Sequence, residues 1–105
     1  MFVIMEIDLE GWELQPQECE GTYRFDGMFL VTRGIKEALS DSLIASIYLT
    51  IKLKAQEENG IDYLQVFKHP QTGKKLFFID QLNDEMKKEY STEHNYCTLM
   101  LSNEY

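Results

Sequence analysis

Basic residues are almost missing from the first quarter of this chain. Residues 1–26 hold Arg24 alone against seven acids, whereas residues 27–105 hold nine bases against eleven acids. A surface of that sign repels nucleic acid and anionic membrane, so direct binding to either is not expected. Long apolar runs are missing too. The longest apolar-rich stretch, LIASIYLTIKL, is broken by Ser, Thr and Lys, and a membrane-spanning helix needs roughly 20 apolar residues. The opening MFVIMEIDLE has no basic flank and soon meets an acid, which does not fit a signal peptide. A soluble, cytoplasmic protein is the expectation.

Metal-binding and nucleophilic residues are equally scarce. There are two histidines and two cysteines, and only His94 and Cys97 lie close together. Zinc sites usually combine two such pairs, so neither a metal nor another cofactor is expected. Without a secretory signal, Cys19 and Cys97 read as free thiols. Cys97 sits in an alternating apolar run and Cys19 between Glu18 and Glu20; burial and negative charge both disfavour the thiolate a nucleophile requires. The TGKK at 72–75 lacks the earlier Gly of a phosphate loop, since Lys68 holds that position, and Lys75 stands where Ser or Thr should follow. Lys68, Lys74 and Lys75 read as charges guarding a sheet edge. Eighteen acids offer many carboxylate pairs, but nothing marks one as desolvated, which is what tunes a general acid. No enzyme is expected.

What the chain does have is enough apolar residue for one core. At 105 residues and 44% hydrophobic, it reads as a single domain over 1–105. Val3, Met5, Ile7 and Leu9 alternate with Glu6 and Asp8, predicting a strand over about 2–9, and Glu10-Gly11 supplies a turn. Asp26-Gly27 between TYRF and MFLVT predicts a hairpin with strands at about 22–25 and 28–32. TRGI breaks the sheet after this strand, with Gly34 supplying the flexible position, and Thr32, Arg33 and Gly34 fit a strand-to-helix turn. Ser40 or Asp41 caps a long helix that stops at Asn59-Gly60, with Leu43, Ile44, Ile47, Tyr48, Ile51 and Ala55 forming its core stripe. Leu49 and Leu53 fall off the stripe and are expected under a loop. DYLQVFKH alternates Leu64 and Val66 against Tyr63, Gln65 and Phe67, and the PQTG turn returns the chain through KKLFFID as a second hairpin over about 62–80. QLNDEMKKEY is a loop or a turn or two of helix. Cys97, Leu99 and Leu101 alternate with Tyr96, Thr98 and Met100 in a last strand. The fold expected is α+β: an antiparallel sheet of five or six strands with one long helix packed on one face.

The densest charge lies in EIDLEGWELQPQECE, residues 6–20, with six carboxylates and no base. Asp8, Glu10, Glu13, Glu18, Glu20 and Asp26 are the candidate negative surface for a basic protein, and Trp12 is its candidate aromatic anchor. Carboxylates spaced along a strand and turn can imitate a row of phosphates. The expected partner is then the basic surface of a nucleic-acid-binding protein. The alternative is a scaffold acting through a sheet edge, through Leu49 and Leu53, or as a homodimer.

Four short stretches, VTRGI (31–35), DYLQVF (62–67), KKEY (87–90) and TLMLSNEY (98–105), resemble the domain-of-unknown-function family "nine-sixty" of low-GC Gram-positive bacteria, their phages and conjugative elements. The resemblance covers about three-quarters of the chain in order and spacing. The family brings no catalytic or ligand residues with it; Thr32, Arg33 and Gly34 match its most recognisable motif. Members begin only a few residues before that motif, which divides this chain into an acidic strand–turn–strand extension, 1–27, and a family-like core, 28–105. The mobile-element setting implies an inhibitor of host defence nucleases, of anti-CRISPR or anti-restriction type, with a CRISPR effector nuclease among the partners implied.

Overall fold

Thr22–Val31 holds the first departure from the sequence pattern. The computed structural model describes residues 7–105, and within them Asp26-Gly27 does not turn a hairpin. Tyr23 makes an isolated antiparallel bridge to Ile61, and β2 (Met28–Val31) runs parallel to the last strand, β5 (Tyr96–Leu101). The left-handed residue is Phe25, at φ +52°, buried completely. Its ring lies edge-on to Phe78 at 4.8 Å, and its N–H donates to the Asp80 carboxylate at 2.9 Å. Burying a Phe yields about 1.5–3 kcal/mol, enough to hold a backbone conformation that costs about 1–3 kcal/mol. Gly27 serves close approach instead: a Cβ there would stand 2.3 Å from the Asn95 carbonyl oxygen.

The sheet has five strands, in the order β1-β3-β4-β5-β2. β1 (Glu13–Leu14), β3 (Leu64–Lys68), β4 (Lys75–Asp80) and β5 are antiparallel neighbours, so the expected antiparallel sheet is mixed only at its β2 edge. The 62–80 hairpin forms as the PQTG turn predicts, with Gly73 at φ +71°.

The long helix, α2 (Asp41–Glu57), starts at the Ser40 cap, whose hydroxyl accepts from Leu43 N. It stops where Asn59 and Gly60 turn left-handed. Leu43, Ile44, Ile47, Ile51 and Ala55 are buried in the core, and Tyr48 stacks on Phe29 of β2 at 4.4 Å. Leu49 and Leu53 lie under no loop; both are exposed.

TRGI ends the strand, as expected, and turns it directly into a helix. Thr32 caps a short helix, α1 (Arg33–Ala38), accepting from Ile35 N, and Ile35 is fully buried. QLNDEMKKEY holds one 3-10 turn, Met86–Lys88.

The described residues before β2 are laid into the core rather than appended to it. Leu9, Trp12, Leu14 and Tyr23 pack against the cluster that Phe25 joins. The strand–turn–strand expected of residues 1–27 reduces, among those described, to the two-residue β1 and the Tyr23 bridge. Most of the strand expected over 2–9 lies outside the described residues, and residues 7–9 are in no strand. Among the described residues, no helix is long and apolar enough to cross a membrane.

Candidate functional site

The turn into β1 follows from Glu10 and Gly11, both left-handed at φ +51° and +92°. Trp12 N donates to Leu9 O at 2.9 Å, closing a four-residue turn of the I′ kind. Beyond it the chain follows the β3 edge. Glu13 faces Lys68 and Leu14 faces Phe67 in register, and Gln15 N donates to Val66 O. Gln17 then fastens the segment through one oxygen. Its Oε1 accepts from Gln65 Nε2 at 3.0 Å, Lys54 Nζ at 3.2 Å and Asp62 N at 3.3 Å. Gln65 itself is buried and takes a second Lys54 bond at 2.9 Å on its own Oε1. Gly21 closes the run, its backbone so near Ile61 that a Cβ would stand 2.4 Å from the Ile61 oxygen.

This path carries five of the seven expected site residues along one edge. Asp8 and Glu10 sit in the turn, Glu13 on β1, and Glu18 and Glu20 where the segment passes Asp62; all five are exposed. Asp8 Oδ1 accepts from Glu10 N at 2.9 Å. None of the five is in an ion pair with a described base.

Asp26 is elsewhere. It precedes β2, the opposite edge strand, four strand spacings or about 19 Å from β1. Lys87 Nζ holds it at 2.8 Å and reaches Asp84 at 3.8 Å, while Arg24 pairs with Asp84 at 2.9 Å. Partial burial pushes the Asp26 carboxyl up, but Lys87 outweighs it and the net shift is downward. The bond from Arg24 holds Asp84 low in the same way. Asp26 is therefore neutralised from within.

Trp12 is half-buried and edge-on to His69, at 5.2 Å. With Leu39, Leu101 and Lys74 it walls a pocket of about 280 Å³. It braces the turn that presents Asp8 and Glu10.

A larger groove of about 500 Å³ runs beside the acidic edge. Leu64 and Val66 form its floor, Lys68 and Lys75 stand at one end, and Glu18 and Asp62 at the other. These lysines and Asp62 were not legible as partners of one groove, because strand register brings them together.

Among the described residues, no group of three or more His, Cys, Asp or Glu could hold a metal ion. Both cysteines are free, Cys19 exposed and Cys97 buried. Burial pushes the Cys97 thiol up to about 12.

VTRGI, DYLQVF, KKEY and TLMLSNEY have structural duties here. Glu104 Oε1 accepts from Thr32 Oγ1 at 2.7 Å and from Leu101 N at 2.9 Å, joining TRGI to the LSNEY end. Gln65 of DYLQVF anchors Gln17, and Lys87 of KKEY holds Asp26. No family model, curated protein or solved structure matches the chain.

Proposed function

We propose that this protein is a non-enzymatic inhibitor or adaptor whose β1 edge docks on the basic surface of a nucleic-acid-handling protein. The observation that carries the reading is the run of five exposed carboxylates, Asp8, Glu10, Glu13, Glu18 and Glu20, along one sheet edge without ion pairs to the described bases. A partner groove lined with Lys and Arg would be steered onto this edge, and nucleic acid would be excluded from it. A mobile element using such a protein against a CRISPR effector or restriction nuclease is the biological setting the reading implies.

The test is capture of proteins from a lysate of the cells that make it, using the full chain, its Asp8→Lys/Glu10→Lys/Glu13→Lys variant, and Asp26→Asn as control. A basic nucleic-acid-handling protein should be retained by the parent and by Asp26→Asn, lost from the triple variant, and released as salt rises. Retention by the triple variant, or retention indifferent to salt, would count against the edge.

A further inference from the structure

Strand register separates the sheet into a face covered by α1 and α2 and one that neither covers, bare among the described residues except for the Tyr105 ring edge-on to Phe77 at 5.6 Å. The helix side takes the fully buried set, including Phe67, Leu76, Phe78, Cys97 and Leu99. On the other side no strand residue is buried. Sheets that turn one face to water normally place polar residues there. Here two rows cross the bare face, apolar but for Thr98: Val66, Phe77 and Met100 are register neighbours in one, and Leu64, Ile79, Thr98 and Leu30 in the next. Leu30 and Met28, at the β2 edge, are 38% and 64% exposed.

The charges bordering these rows are arranged by sign. Glu13, Lys68 and Lys75 form the row at one end, with Lys74 in the adjoining turn. Asp62, two residues before Leu64, lies at the other end with Glu18 beside it. Lys68, Lys75, Asp62 and Glu18 are in no ion pair among the described residues. Asp62 Oδ1 accepts only from Tyr63 N. One end of the face is thus mainly cationic, the other anionic, and the middle apolar.

We propose that a second copy of this chain covers the bare face, making a two-fold symmetric dimer of stacked sheets. The charge pattern selects the axis. A two-fold axis along the strands would lay lysine row on lysine row. An axis in the plane of the sheet and across the strands exchanges the ends, so that Lys68 of each copy meets Asp62 of the other and Val66–Phe77–Met100 packs over the partner copy's Leu64–Ile79 row. Sheets stacked face to face sit about 10 Å apart, a spacing these side chains fill. Every contact then occurs twice, as an isologous interface requires. Glu13 is the one charge of the wrong sign in the lysine row, and Lys68 stands directly beside it.

Sedimentation velocity of the full chain over a range of concentrations tests this. The parent should dimerise with rising concentration, and Leu30→Glu should shift it to monomer while its circular dichroism spectrum stays the same. Lys68→Glu and Asp62→Lys, both surface changes, should each weaken the dimer about tenfold, since the lost pair is present twice. The double variant Lys68→Glu/Asp62→Lys should recover dimerisation, because each copy again offers complementary ends. A parent that stays monomeric throughout, including one that binds a different protein through this face, overturns the proposal. So does a dimer indifferent to Leu30→Glu, or a double variant no better than the singles. Sedimentation of the purified chain involves no basic partner, so its outcome is separate from that of the acidic edge.

Discussion

The Asp80 carboxylate is buried among Phe25, Cys97 and the Asp26–Lys87 pair, with one oxygen bonded to Phe25 N and the other without a partner. Burial pushes its pKa up; the Phe25 N–H and Lys87 pull the other way without cancelling that, and Asp26 adds to the rise. A carboxyl held above its ordinary range keeps its proton better in the folded chain than in the unfolded one. Its contribution to stability is therefore complete below the ordinary carboxylate range and is lost as pH rises from there through the folded-state value. Asp26, Asp84 and Glu104, all shifted downward, act in the opposite sense and lose their contribution as pH falls. Asp80→Asn removes the first effect alone. Urea unfolding of parent and variant should show the variant's relative stability rising between pH 4 and pH 7; an equal difference at the two pH values would refute the assignment. Residues of this kind were the least legible. Leu64 and Val66 have the apolar character of a core, yet Gln65 and Phe67 point inward, because Gln17 and Lys54 arrive from distant segments to satisfy a buried amide.

Among the elements, α2 was readable from sequence to within a residue at each end, since its caps and its three-to-four stripe agree. α1 was legible only as a strand-to-helix turn at TRGI, because six residues give too little periodicity to mark a helix. Gly34 in fact lies against Glu104: a Cβ there would stand 2.8 Å from its carboxylate. Gly34→Ala should therefore displace Glu104 and loosen the Thr32 junction. In a Glu104→Ala background the same substitution should stabilise by up to about 1 kcal/mol, the ordinary helix preference for Ala over Gly. A double-mutant cycle read by thermal unfolding checks this; additive effects would mean the two side chains do not meet. The Asp26-Gly27 hairpin failed as an expectation for a different reason. Turn chemistry predicts local pairing, and here the burial of Phe25 and the β5 edge outcompeted it.

Over the whole molecule, the acidic run was visible as composition, but only the folded chain separates Asp26 from the other five. The same holds for the bare face, whose rows are assembled by register and not by any one segment. Cys97 offers a probe at this scale. It lies fully buried between β2 and β4, its Sγ 3.7 Å from Met28 O. A thiol reagent should modify one cysteine, Cys19, at once, and the second only at the rate of global opening, with both reacting immediately in denaturant. Prompt modification of both in the native protein would show that the β2 side opens on its own.

β2 finds its hydrogen-bonding neighbour in residues 96–101, about two-thirds of the chain length away. During synthesis, the long helix and the β3–β4 hairpin can assemble while Met28–Val31 still has no strand beside it. Tyr48 and Phe78 are by then in place to receive Phe29, but the β2 backbone has no edge to pair with until residues 96–101 leave the ribosome. Nascent chains halted before that point would be the ones chaperones hold.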